Sequence, residues 1–426
     1  MDQAASSSRE KLILILLTAI QFAHVVDFMV MMPLGPQLMR IFDISPGQFG
    51  QIVSAYGISS GVAGLVVGPL VDKYDRKTFM TVCLVGLAAG TLLCGIAPTA
   101  GILMFARCIA GFFGGILGGL SQAIISDIFP AQRRGFAISR VMAAFSIASV
   151  LGVPASLALA NKFGWHTPFL LVTGMLLLLL VATTLRFPSL TAHIDPQSTL
   201  SGRVKQISHL LLEKSAVIGF LTTFFIIFGQ FMVIPFISPY LVKNLGFSES
   251  QLPLLYFLGG FASIFTMPLI GKWTDSFGAS KMFPIGVLVS IIPLFTLTHL
   301  TSQNPVIILS VTTLFMICMG GRMVPFTSLL TTAVEPKKRG GFLSLNASVQ
   351  SLAQGGAALF TASLVHESAD GSLQGYGTSG WIAAIFSLMT IALGLQIAKA
   401  GARSAQQTDS KMPSQPLPTS ESIDPS

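Results

Sequence analysis

Apolar residues in this chain come in long unbroken runs, not at the spacing of an amphipathic helix or an alternating strand. Twelve runs stand near 12–36, 49–71, 78–97, 101–127, 136–160, 165–187, 215–241, 252–273, 282–301, 305–332, 341–366 and 378–399, with polar or charged stretches between them. Each is close to the roughly 20 residues a helix needs to cross the hydrocarbon core. A barrel strand would alternate polar and apolar positions over about ten residues, which these runs do not do. Helices are then the remaining way to satisfy backbone groups in lipid, so the pattern predicts an all-α integral membrane protein with twelve transmembrane helices. The first run follows Arg9 and Lys11 and continues past Asp27 to Met32 with no small-residue cleavage site. It is expected to remain as a span and not to be removed as a signal peptide.

Charge supports this reading. Of the 426 residues 52% are hydrophobic and 10% charged, where a soluble domain carries about a quarter charged residues, so an ordinary cytosolic enzyme is excluded. The net charge of +8 would suit a nucleic-acid partner, but 20 of the 25 Lys and Arg fall in loops on the side of the N-terminus. Arg40, Lys162 and Lys243 fall on the opposite side, and Arg107 and Arg322 lie within spans. That bias places both termini in the cytoplasm of a multi-pass inner (plasma) membrane protein, and it accounts for the positive charge without nucleic acid. Trp165, Trp273 and Trp381 sit at span ends, where an amphipathic ring prefers the interface. Cys83, Cys94, Cys108 and Cys318 lie inside apolar runs without paired spacing or metal ligands nearby, and read as small packing residues. No cofactor or metal is expected. No nucleophile, base and orienter set is visible, so an enzyme is not expected either. A GxxxxGK[ST] loop is absent, which leaves a gradient as the energy source.

The longest polar loop, 188–213, divides six runs from six, and the halves repeat one another. Asp27-Phe28-Met29-Val30 with Pro33 matches Gln230-Phe231-Met232-Val233 with Pro235, at an offset of 203 for the first pair. Gly68-Pro-Leu-Val-Asp72 matches Gly271-Lys-Trp-Thr-Asp275 at the same offset, and Phe129-Pro130 to Phe136 matches Glu335-Pro336 to Phe342. The expected organisation is a six-helix bundle over 1–187, an inter-bundle loop at 188–213, a second bundle over 214–400, and a disordered tail rich in Ser, Pro and Gln at 401–426. A repeat of this kind places the substrate between the bundles near the midplane. Over about residues 10–400 the sequence resembles the major facilitator superfamily and is similar to its arabinose-efflux-like and drug:proton antiporter branch. That resemblance implies two pseudo-symmetric bundles and alternating access.

The most specific motif is Gly68-Pro-Leu-Val-Asp72-Lys-Tyr-Asp-Arg76-Lys77, between spans two and three. Small Gly68 permits close helix approach, Asp72 suits a helix N-terminus, and Arg76 suits two carboxylates. The resemblance implies a latch between bundles made by Asp72, Arg76 and Asp127, with Asp275 in the equivalent place of the second half; the alternative is a merely topogenic basic loop. Span five carries Gly152-Val-Pro154-Ala-Ser156, which resembles the family's antiporter motif imperfectly, because Val153 interrupts the Gly-Pro pair.

Asp27 is the one acidic residue placed well inside a span, with His24 three positions before it and Arg107 at a similar depth on span four. Two readings stand. A few ångströms of movement by Arg107 would change the proton affinity of Asp27 and so couple protons to transport. Alternatively the pair is static and His24 is a satisfied core histidine. Gln230, equivalent to Asp27, cannot titrate. Gln21, Gln230 and Arg322 are expected to line the substrate cavity, although Arg322 in Gly320-Gly321-Arg322 suits an outlet to the cytoplasm equally well. Asn346-Ala-Ser348 matches a glycosylation acceptor but falls within span eleven. The best reading is a monomeric proton-coupled antiporter exporting a small amphipathic compound. The other readings are a sugar or organic-anion importer, and a transceptor that signals without flux.

Overall fold

The computed structural model describes residues 2–71, 73–191, 194, 210–335 and 338–409. Span one is a helix over Asp2–Val30 that breaks at 31–34 and resumes as Gly35–Phe42. Pro33 lies in the break, where its missing N–H and ring would otherwise interrupt the helical ladder. Span seven repeats this design: Lys214–Phe231, a 3₁₀ turn over Ile234–Phe236 containing Pro235, then Ile237–Leu245. The two halves therefore open with the same broken helix, as the sequence repeat requires.

Spans two, three and four are Pro46–Val71, Arg76–Gly95 and Ala100–Ile128. Span five runs from Ala131 to Phe163 and contains a π turn at Ala148–Gly152. Pro154 follows it and has no N–H to return to the preceding turn, which a local π turn accommodates. Span six is His166–Arg186. In the second half, span eight is Leu252–Phe277, span nine Ala279–Thr298, span ten Pro305–Gly321 and Met323–Leu330 with a break at Arg322, span eleven Arg339–Leu364 and span twelve Tyr376–Asp409. Residues 401–409, expected as the start of a disordered tail, continue this helix, and the rest of that tail, 410–426, lies outside the described residues.

Among the described residues eleven helices are long and apolar enough to cross a membrane. The exception is span eleven, 26 residues long but rich in Ser, Asn, Gln and Gly. Its composition follows from its neighbour. Spans two and eleven form the main contact between the halves, and spans five and eight form the other. Along the first seam small residues face each other: a Cβ on Gly57 would lie 2.6 Å from the backbone nitrogen of Gly355, and one on Gly47 3.3 Å from the carbonyl of Ala362. Ser60 Oγ donates to Ser351 Oγ at 3.1 Å across it. Backbones that approach this closely in lipid gain packing and interhelical hydrogen bonds that large apolar side chains would forbid. In the second seam, Gly260 lies against Ser149 and Val150 of the π turn.

The loops at one end carry most of the Lys and Arg; we call this the basic end and the other the far end. The halves close over at the far end. Gly35 packs on Phe49 and Pro239, and the rings of Phe49 and Phe236 meet edge-on at 6.0 Å. Arg40 of the first half forms a two-pronged pair with Glu249 of the second, at 2.6 and 3.3 Å. Asn161 donates to the Glu249 carbonyl and accepts from Gln37. Beside them Lys243, equivalent to Arg40 at the offset of 203, pairs with Glu367 of a two-stranded hairpin, His366–Glu367 with Leu373–Gln374. Toward the basic end the seam glycines make close contact as far as Gly64 on Ser348, whereas Gly68, Gly271 and Gly340 have nothing among the described residues within 4 Å of a Cβ position.

Candidate functional site

Asp27 and Arg107 meet, as their depths suggested. Asp27 is 0% exposed and Arg107 1%. Helix geometry places both in the far half of the membrane, since Arg107 is seven residues, roughly 10 Å, into span four. The guanidinium Nη1 donates to the Asp27 backbone carbonyl at 3.0 Å and approaches its carboxylate Oδ2 at a longer 3.4 Å. Thr91 of span three donates to Oδ1 at 3.1 Å. The carboxylate is therefore held as much by a hydroxyl as by the charge partner, and Arg107 Nε has no partner among the described residues.

His24 joins through Tyr56 of span two. Arg107 Cζ lies 4.2 Å from the Tyr56 ring centroid, in cation–π range, and the Tyr56 hydroxyl meets His24 Nδ1 at 2.9 Å. Span four can come this near because of its glycines: a Cβ on Gly114 would sit 2.5 Å from the Tyr56 hydroxyl and 2.8 Å from His24 Nδ1. The sequence reading missed Tyr56 and Thr91. Nothing in the order of residues distinguishes Tyr56 from an aromatic packing residue, and the seam role of its neighbour Gly57 shows only in the structure. Phe28 touches Tyr56 at 5.3 Å between centroids and reaches across to Phe231 at 6.0 Å. These two phenylalanines are equivalent in the repeat.

In the second half Gln230 is half-buried and its Oε1 has no partner among the described residues; Gln21 is half-buried too. Arg322 is 0% exposed. It donates from Nη1 to Ser290 Oγ at 3.2 Å and Ser387 Oγ at 3.0 Å, and from Nη2 to the Ile226 carbonyl at 3.2 Å. Its partners lie eight to twelve residues inside spans nine, twelve and seven, so the side chain extends toward the middle of the membrane. No ion pair involves it among the described residues, and its Nε is unpaired.

Of the motif residues, Arg76 is buried and donates from Nε to Asp127 at 2.8 Å and from Nη1 to the Val71 carbonyl at 3.1 Å. Asp72 lies outside the described residues. Lys77 offers its backbone N–H to Asp75, which caps span three. Asp275 is exposed at the basic end, and among the described residues nothing lies within 4 Å of a Cβ position on Gly68. Gly152 lies against Val26 and Phe22 of span one, where a Cβ would collide with Val26, and buried Pro154 follows the π turn.

Two successive matches to the family model described as Major Facilitator Superfamily cover residues 17–218 and 219–419. The chain belongs to that superfamily. A Major Facilitator relative, the MFS-type transporter YceJ of Bacillus subtilis, is 25% identical over 397 residues, covering 90% of this chain and 96% of that protein. The multi-drug resistance efflux pump PmrA homolog of Lactococcus lactis is 25% identical over 325 residues, 73% of this chain and 78% of the pump. Among solved Major Facilitator structures, a D-xylose–proton symporter superposes with a TM-score of 0.71 at 20% identity, over 91% of this chain and 97% of the symporter. The twelve-helix fold of the superfamily is thus the fold of this chain, and the protein is a multi-pass membrane transporter.

Proposed function

We propose that this transporter is a proton-coupled antiporter that exports a small amphipathic organic compound by alternating access. The observation that carries the reading is the buried Asp27, the one carboxylate deep in a described span, held by Thr91 and at long range by Arg107. Intramembrane ionisable groups mark ion and proton pathways by default. Loss of the Arg107 contact by a small rotation of span four would favour the neutral carboxylic acid, and its return would expel the proton. The name of the Lactococcus lactis relative supports efflux. Positive charge at the basic end supports a cytoplasmic location for that end and both termini. On this view residues 1–187 and 214–400 are the two rocking units of a monomer in the inner membrane, and the far-end contacts close the periplasmic gate.

Proteoliposomes with an imposed proton gradient and a panel of amphipathic compounds test the proposal. Uphill flux against the proton gradient that disappears in Asp27→Asn, with binding retained, supports it. Substrate movement in the same direction as protons would overturn antiport in favour of uptake.

A further inference from the structure

Away from the Asp27 cluster the strongest unexplained group is Arg322. Its charge is permanent, it is fully buried, and its hydrogen-bond partners among the described residues are neutral: two serine hydroxyls and one backbone carbonyl. Asp27 and Arg107 cancel each other, so the deep charged residues of the described spans leave one positive charge over. It is joined through Ile226 to span seven, the helix that presents Phe231 to Phe28 of the other half. A charge in surroundings of low dielectric acts over ten or more ångströms with little screening. Between the halves that uncompensated charge favours an anion over a lipophilic cation, since among the described residues no acidic side chain pairs with Arg322.

We propose that the cargo is an amphipathic anion, an apolar body bearing one carboxylate or sulfonate, selected by the charge of Arg322. This rests on the proposed transport site between the halves and adds the charge class of what it takes. Unpaired Arg322 Nε and Gln230 Oε1 show polar capacity in this layer that the described protein groups do not use. If the anion leaves as a proton enters, each cycle moves two positive charges inward, so export is driven by the membrane potential as well as by the pH gradient.

The test uses the full chain, purified, with four probes on one scaffold: 1-naphthoate, 1-naphthalenesulfonate, 1-naphthalenemethanol and the 1-naphthylmethyl trimethylammonium cation. Equilibrium binding is expected to favour the anions over the cation by about tenfold or more, the Coulomb energy of one uncompensated charge roughly 10 Å away at an effective protein dielectric of about 20. Arg322→Gln should bring all four within about twofold, while Arg322→Lys, which restores a charge, should recover most of the preference. Equal or tighter binding of the cation to the native chain overturns the proposal, as does an anion preference that survives Arg322→Gln. If Arg322→Gln does not fold, the native ranking and the lysine variant decide alone. Stabilisation by sodium chloride over sodium sulfate with no discrimination among the probes would mean a bound inorganic ion only, and also overturns it. Proton-driven flux is read separately in the same preparation: a failed ranking with intact flux removes the anion, whereas an intact ranking without proton-linked flux removes the antiport reading.

Discussion

Asp27 keeps its charge partner at the edge of bonding distance, 3.4 Å, while Thr91 and the cation–π face of Tyr56 share out the two groups between them. A static pair and a coupling carboxyl make different demands on that arrangement. If Asp27 carries the proton, Asp27→Asn keeps the shape and the Thr91 contact, so expression and binding should persist while uphill flux falls at least a hundredfold. If the pair is structural, each single mutant leaves a buried charge uncompensated at about 3–5 kcal/mol, and Asp27→Asn with Arg107→Gln together restores both yield and proton-driven flux. Flux in that double mutant at normal expression is the deciding measurement. Tyr56→Phe gives a second handle: it retains the ring over Arg107 and loses the hydroxyl on His24, so folding should hold while the pH dependence of flux moves. Asp27 and Arg107 were legible in the sequence because charge is so rare within these spans. Tyr56 was not, because its role comes from a helix crossing, and the glycines that permit the crossing sit on another span.

At the scale of the helices, glycine contacts separate positions that hold the fold from positions that permit movement. Gly57 lies against the backbone of span eleven, which cannot yield, so Gly57→Val should destabilise by about 1–3 kcal/mol, the range of an overpacked core, and show as lost monodisperse yield. Asp75 is a different kind of anchor. It caps span three through Lys77 N and accepts from the Leu190 N–H at 2.7 Å. Partial burial pushes its carboxyl upward, but hydrogen bonds from Leu190, Lys77, Ser189 and Thr78 outweigh that and hold it below the usual carboxylate range. Its contribution is therefore present above the ordinary carboxylate pKa and fades as pH falls through the lowered one. Asp75→Ala should cost about 1 kcal/mol at neutral pH, as lost N-caps do, and the gap from native in a thermal-melt series should close in acid. The span pattern could be read from the sequence, whereas the breaks at 31–34 and 234–236 fall inside runs expected to be continuous, although Pro33 and Pro235 stood out in the repeat. The π turn at Ala148–Gly152 could not be read, since Pro154 announces a defect but not how the backbone absorbs it.

For the whole molecule, the far end is closed by groups that are individually weak. Arg40 is largely exposed, and an exposed ion pair is worth roughly 0.2–1 kcal/mol, so Arg40→Ala should shift the balance between closed and open far ends by a factor of about 1.4 to 5. Spin labels on Asp43 and Ser250 would report it as growth of a longer-distance population, and no change at all would remove this pair from the gate. Gly68 tests the opposite end. A Cβ there has nothing within 4 Å among the described residues in the present state, so Gly68→Leu should leave yield and binding intact; if spans must close over Gly68 in the other state, flux drops at least tenfold. Normal flux would make the loop topogenic only. The motif around Gly68 was plain in the sequence, but which end is shut is a property of the state and cannot be written in one residue order.

Phe28 and Phe231 occupy the same place in the two repeats and touch one another. A contact between equivalent residues is isologous, the kind found on the two-fold axis of a homodimer. The two halves of the chain thus meet here as two like subunits would, each offering the equivalent residue to the other. Expressed as two separate polypeptides, the halves retain the surfaces through which such a pair would recognise itself.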